Sequence, residues 1–350
     1  MAKSYVYNGR DYRNVTSLHT WLARQQPEEI LEPDLLIVDP HHHLWDTERG
    51  RYLIDELLAD IEGGHRIVKT MFLECQSMYR ATGQEEFRAI GEVEFVRGVA
   101  AMSASGIYGT IRVASGMVAR ADLSLGARIR PVLEAEIEAG GGIVRGIRSC
   151  MPWDPHEEIN RHIFHRAPPG FLLNPGFREG AAQLAPLGLV LDIWIYFTQI
   201  PDLIDLARAL PSTKIVLNHC GGPICVGPYA GHREEYRAVW EKDMRELAKC
   251  PNVYVKLGGL GMVHFGFDFY LREVPPSSVD LAEAWRPYIE TCIDAFGVRR
   301  GMFESNFPPD KQSCSYLALW NAFKRIVSGA SAVEKEALFS GTATEVYGLT

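Results

Sequence analysis

The hydrophobic positions of this chain fall into short apolar runs, each ending at a polar or glycine-rich turn. Eight stand out: residues 35–39 (LLIVD), 67–74 (IVKTMFLE), 111–118 (IRVASGMV), 143–149 (IVRGIRS), 189–195 (LVLDIWI), 214–219 (KIVLNH), 252–258 (NVYVKLG) and 301–305 (GMFES). β-branched and apolar residues dominate both faces of each run, which predicts strands buried on both sides. Helical patterns with legible ends lie between most of them. Asn174 caps and Pro175 opens a helix carrying Phe177, Ala181 and Leu184, and Gly188 lies beyond its end. Pro131 opens another with Val132, Leu133 and Ile137, closed by Gly140, and Ile204, Ala207 and Leu210 form an apolar stripe after Pro201.

Strands buried on both faces and alternating with helices predict parallel pairing through right-handed crossovers, hence an α/β fold of the (β/α)8 TIM barrel type. A doubly wound open sheet is the rival, but no GxGxxG or Walker sequence follows any strand. Residues 1–34 form an N-terminal arm with a short helix, expected to pack on a neighbouring subunit, and residues 35–350 form the barrel domain with long βα loops. The aromatic, Gly- and Pro-broken stretch 259–278 predicts a lid or interface loop. Two terminal helices, within SYLALWNAFKRIV and SAVEKEALFSGTATEVYGL, should close the barrel.

Composition removes several function classes. With 36 Lys+Arg against 44 Asp+Glu the net charge is −8 and no basic run is present, so a nucleic-acid partner has no electrostatic footprint. No apolar stretch approaches the roughly 18 residues that span a bilayer, and the first residues lack an apolar signal core, so a cytoplasmic protein without membrane contact is expected. Seven scattered cysteines with no CxxC pair fit reduced thiols and offer no zinc-finger spacing. The expected partners are a small-molecule substrate and further copies of the chain, or a paralogous subunit.

In such barrels the C-terminal strand ends face the active site, and five of the eight hold reactive groups. The first ends Asp39-Pro40-His41-His42-His43-Leu44-Trp45. Alternation puts His41 and His43 on one side, where both can meet one ion or one substrate oxygen, with His42 pointing away. The other ends offer Glu74, Arg148, His219 and the pair Glu304 and Asn306. His41, His43 and His219, completed by Glu74 or Glu304, make a nitrogen and oxygen set suited to Zn²⁺, Mn²⁺ or Fe²⁺. Arg148 and Arg112 offer planar forks for a substrate carboxylate, with salt bridges from Arg148 to Asp192 or Glu74 as the structural alternative. Trp45 and Tyr196 are candidate substrate contacts.

IVDPHHHLWD, GIRS, LNHCGGP, VKLGG and MFESNFP, in this order at these strand ends, resemble the amidohydrolase superfamily, in its amidohydrolase-related branch near the sugar-acid and 2-pyrone-4,6-dicarboxylate lactonases. The resemblance covers residues 35–345. It implies a metal-dependent hydrolase in which His41 and His43 match the first-strand pair and His219 the sixth-strand histidine. Asn306 stands where the family usually carries its aspartate. Asn is neither a general base nor a good metal ligand, so water activation would pass to Glu304, Glu74 or Asp310, or be absent. Phe197 and Ser149 also stand where relatives often carry histidine.

The expected function is hydrolysis of a small carboxylated substrate, a lactone from sugar-acid or aromatic catabolism, over a divalent ion, Zn or else Mn or Fe. In a metal-free version the histidines would act as hydrogen-bond donors. The alternatives are decarboxylation, an Mn or Fe hydroxylase in the same pocket, or a catalytically silent partner subunit. Glu304 is the first choice for the water-activating acid, facing as Asn306 does but two residues deeper, with an ion pair to Lys256 as its structural alternative.

Overall fold

A computed structural model describes residues 13–47, 50–160 and 167–349. Each of the eight runs forms a strand: β1 Ile37–His42, β2 Ile67–Leu73, β3 Arg112–Ala119, β4 Val144–Cys150, β5 Val190–Trp194, β6 Ile215–Leu217, β7 Val253–Leu257 and β8 Gly301–Phe303. Every consecutive pair is parallel, in the order β1 to β8. β8 meets β1 just beyond its end, where Asn306 N donates to His41 O (2.9 Å) and His43 N to Phe307 O (2.8 Å). The result is the (β/α)8 barrel that the pattern predicts. The Asn174-capped helix runs Pro175–Ala181, and the Pro131 helix runs Arg130–Gly140 with Gly141 in the left-handed cap.

Two apolar layers follow from strand alternation. Residues such as Ile37, Phe72, Leu191, Leu217, Val255 and Phe303 face outward and pack under the helices. Val38, Met71, Leu73, Val118, Val190, Val216 and Met302 form a second cluster with Ala343, Val346, Tyr347 and Leu349. The C-terminal helix Thr342–Tyr347 thus packs against the inward-facing strand residues and fills the barrel from its N-terminal end.

The described part of the arm packs on its own chain. Trp21 Nε1 donates to Arg272 O (2.9 Å), Gln25 Nε2 to Pro276 O (3.1 Å), and the buried Lys324 Nζ to Leu31 O (2.7 Å). Its partners lie in the 259–278 stretch and the helix Tyr316–Ile326, so the arm straps that stretch down over the barrel. Among the described residues no helix is long and apolar enough to cross a membrane.

Candidate active site

The first strand carries an irregularity that sets the site. Val38 faces the barrel interior, so strict alternation would send Pro40 and His42 inward too. The register of β1 against β2 instead shifts between Asp39 and His42, and an added residue reverses the facing beyond it. Asp39 turns outward, accepting from Tyr316 OH (3.1 Å) and Ser305 N (2.9 Å). His42 also faces out, to Thr70 Oγ1 (2.8 Å). His41 and His43 face in together, with their Nε2 atoms 3.2 Å apart.

Each site imidazole has its Nδ1 against an acceptor. His43 Nδ1 donates to Leu73 O (2.8 Å), and His219 Nδ1 to Glu304 Oε1 (2.7 Å). His41 Nδ1 lies 2.6 Å from Glu304 Oε2, a charge contact skewed from hydrogen-bond alignment. Two nitrogen and oxygen lone pairs would repel at that distance, which places a proton on Nδ1. Lys256 Nζ reaches the same nitrogen only at 3.5 Å, too long to compete. Burial holds His41 and His43 well below the usual histidine range; Lys256 adds to this at His41 and Arg148 at His43. Burial also lowers His219, against the pull of Glu304. All three are therefore neutral near pH 7, and with Nδ1 protonated their Nε2 lone pairs are free.

That arrangement fits a cation. Two nitrogen lone pairs facing each other at 3.2 Å repel unless something positive lies between them. Zinc–nitrogen bonds of about 2.0–2.1 Å at a tetrahedral angle place two ligand nitrogens about 3.3–3.4 Å apart. Acceptors on the far nitrogens are the usual device for aiming metal-binding imidazoles. One donor atom from each of His41, His219 and Glu304 also lies within 4.8 Å of the others.

The local backbone is shaped around these rings. His219 and Cys220 adopt left-handed φ (55° and 50°), and His219 N donates to Glu304 Oε1 (3.1 Å). The VKLGG glycines make the room: a Cβ on Gly258 would collide with Glu304, and one on Gly259 (φ 69°) with the His219 ring.

Glu74, at the end of β2, is buried beside this group but outside it. Its carboxylate lies 3.8 Å from Arg148 Nη1 and 3.9 Å from Arg120 Nη1, and Oε2 receives no hydrogen bond. Arg148 donates from Nε to Asn218 Oδ1 (3.1 Å) and from Nη1 to Glu74 O (3.2 Å), and its salt bridge is to the Glu74 carboxylate rather than Asp192. Trp45 lies over His43, ring centroids 6.0 Å apart and nearly parallel.

Several expectations of the sequence meet a different arrangement. Arg112 is the first residue of β3 and is exposed at the opposite end of the barrel; Arg120, in phase with the inward Val118, is the arginine at the mouth. Tyr196, the other candidate substrate contact, is buried and packs edge-on against Trp194, which in turn meets His219 at 4.9 Å between centroids. Asn306 does not share Glu304's facing: a left-handed turn (φ 51°) takes it off the strand line, and Nδ2 donates to Asp310 Oδ1 (2.7 Å). Asp310 Oδ2 accepts from Gly261 N (2.8 Å), so that acid is committed as well. Lys256 pairs with Asp192 (2.9 Å), not with Glu304. His156 is held by Asp154 on the loop after β4 (2.8 Å), and His162 and His165 lie outside the described residues. Arg120 and Trp194 could have been found by counting in twos from Val118 and Asp192.

Known proteins resemble this chain in sequence and in fold. The sequence profile of the family described as "Amidohydrolase" matches residues 38–349. An uncharacterized protein, y4mH of Sinorhizobium fredii, is 32% identical over 336 residues, covering 90% of this chain and 99% of that protein. An L-fucono-1,5-lactonase of Burkholderia multivorans is 29% identical over 180 residues, 51% of this chain and 58% of that one. Among solved structures, a zinc-bound amidohydrolase from Burkholderia multivorans superimposes with a TM-score of 0.68 at 23% identity, covering 90% of this chain and 100% of that one. A putative 2-pyrone-4,6-dicarboxylic acid hydrolase from Pseudomonas putida gives 0.58 at 17%, covering 90% and 98%. At these identities the structural likeness speaks for the fold.

Proposed function

We propose, from the premise that this chain belongs to the amidohydrolase family and is a hydrolase, that it opens the ring of a small carboxylated lactone over a divalent ion held by His41, His43 and His219. The observation carrying this reading is a set of three buried imidazoles whose Nδ1 atoms each face an acceptor, with the Nε2 atoms of His41 and His43 3.2 Å apart. An all-imidazole set of this kind suits Zn²⁺ and also Mn²⁺ or Fe²⁺. When bound, the ion would polarise the ester carbonyl and acidify water.

The chain's own groups supply the rest. Glu304 has both oxygens turned to imidazoles, so its role is to aim His41 and His219. Glu74 then becomes the carboxylate that takes the proton of the attacking water as a base: it is buried, flanked by two guanidinium groups and without a hydrogen bond at Oε2. Arg120, whose Nη1 has no hydrogen-bond partner, is placed to take the substrate's carboxylate, with Arg148 holding Glu74 in line. Trp45 and Trp194 wall the ring-binding space. The family resemblance to lactonases, and the L-fucono-1,5-lactonase relative, favour a cyclic ester as the substrate.

The test is elemental analysis of the purified protein, joined to a panel of sugar-acid and aromatic lactones followed by acid release. About one divalent ion per chain, with turnover lost on chelation and restored by Zn²⁺ or Mn²⁺, is the expected result. Carbon dioxide release from carboxylated substrates without ring opening would replace this reading by decarboxylation. Activity that survives in metal-free protein would hand the histidines the role of hydrogen-bond donors.

A further inference from the structure

Beneath the three imidazoles lies a ladder of buried polar groups that the chemistry above does not use. Tyr347, on the C-terminal helix, donates from OH to Asp192 Oδ2 (2.8 Å). Asp192, inward-facing on β5, also accepts from Asn218 Nδ2 (2.8 Å) and pairs through Oδ1 with Lys256 Nζ (2.9 Å). Lys256, inward-facing on β7, donates to Pro40 O (2.9 Å), the carbonyl immediately before His41. All three side chains are buried, the Lys256 ammonium also stands 5.3 Å from the centre of the Tyr347 ring, and Lys69 Nζ secures the helix by donating to Leu349 O (3.2 Å).

A buried ion pair is a doubtful source of stability, because losing two hydration shells offsets much of its attraction. A lysine, an aspartate and a tyrosine sealed inside a barrel call for another account, and the atoms they touch supply one. Pro40 sits within the irregular segment of β1 that turns His41 inward, where the register slips and a buried peptide carbonyl needs a partner. Lys256 satisfies that carbonyl. Asp192 fixes Lys256, and Asn218, itself gripped by Arg148, ties the same carboxylate to the strand that delivers His219.

We infer that Tyr347, Asp192 and Lys256 are positioning residues, a ladder through which the C-terminal helix holds the Pro40–His41 turn and thereby aims His41 Nδ1 at Glu304. The inference rests on the reading of His41 and Glu304 given above. The chain end thus belongs to the active site, although it enters from the opposite face of the barrel. No group on the ladder needs to touch substrate.

The experiment is Tyr347→Phe in the full chain, which keeps the packed ring and removes one hydroxyl, with Asp192→Asn as the second variant. Histidines labelled with ¹⁵N report their tautomers through nitrogen shifts, whether or not a substrate is known. In the unaltered protein His41 should show the Nδ1–H form. In Tyr347→Phe it should move toward a mixture with the Nε2–H form while His43, held by Leu73 O, stays as it was. Turnover should fall up to about 10-fold, the low end of the range for partners directly behind a ligand, because Tyr347 acts through Asp192 and Lys256, with KM within about twofold and a modest drop in melting temperature from the Asp192 oxygen left without its donor. A His41 signal identical in the two proteins overturns the ladder, as does a loss confined to melting temperature. If no lactone is turned over but the His41 signal shifts, the ladder stands and the proposed reaction falls. If Tyr347→Phe does not fold, Asp192→Asn must give the same His41 shift or the inference is wrong.

Discussion

Replacing Glu304 by glutamine separates two accounts of this acid. Its carboxylate accepts from His219 Nδ1 (2.7 Å) and His219 N (3.1 Å) through Oε1, and lies 2.6 Å from His41 Nδ1 through Oε2. Glutamine keeps the shape and one acceptor, but its amide nitrogen must face either His41 or His219. If the oxygen stays with His219, where two donors converge, an NH₂ group opposes the His41 Nδ1–H. Two donors at that distance repel, and the relief is a tautomer change that puts the proton on Nε2 and removes the lone pair from the site. A hydrogen bond to a charged acceptor contributes about 1.5–3 kcal/mol, and loss of a partner behind a metal ligand lowers affinity about 10- to 100-fold, or about 1.4–2.7 kcal/mol. Glu304→Gln should therefore weaken Zn²⁺ binding by that factor, with much of the rate recovered at saturating metal. Competition against a chromophoric chelator measures the first quantity, and initial rates across a metal series the second. If Glu304 were instead the acid that takes the proton from water, turnover would stay about 10²- to 10⁴-fold down at any metal concentration. That pattern, with metal affinity unchanged, would refute the positioning role.

Two further outcomes follow from the structure. Arg120→Ala should raise KM about tenfold or more by removing a charged contact to the substrate, whereas Arg112→Ala, at the far end of the barrel, should leave steady-state kinetics unchanged. An unchanged KM in Arg120→Ala would mean that Arg120 does not meet the substrate, and a rise in Arg112→Ala would mean that its effect is not a substrate contact. Glu136 lies on the buried face of the helix Arg130–Gly140 with both carboxylate oxygens unpartnered, and burial, with Glu92 and Glu74 nearby, pushes its carboxyl well above the usual range. A raised value in the folded state means that stability present below the unfolded pKa is lost as pH rises toward the folded one. Glu136→Gln should therefore gain melting temperature over the unaltered protein at pH 8 and much less at pH 5; a difference independent of pH would count against a buried, uncharged Glu136.

Much of this protein is decided by rules that act over a few residues. Strand position follows from apolar runs with polar ends, helix starts from Asn174 and Pro131, and the strand ends name His41, His43, Glu74, Arg148, His219 and Glu304 without any knowledge of what each touches. Period-two counting even pairs His41 with His43 and sets His42 apart, because neighbours on one strand keep their relation whatever surrounds them. Which of the two sets faces inward is another matter. It depends on the register slip of β1 against β2, a property of two strands together. The same holds for Glu304, whose meaning comes from two histidines 85 residues or more away in sequence, and for Asn306, which leaves the strand line at a left-handed turn where β8 closes against β1. Arg112 and Arg120 are alike in composition and differ in which end of β3 they occupy, and so in which face of the closed barrel they reach. Tyr347 is the extreme case: a residue near the chain's end, in a helix that local pattern reads only as packing, becomes a neighbour of Asp192 because barrel closure creates an interior for it to fill. Periodicity is a local property and is legible in one dimension; register, closure and the sharing of buried charges arise only when distant strands meet.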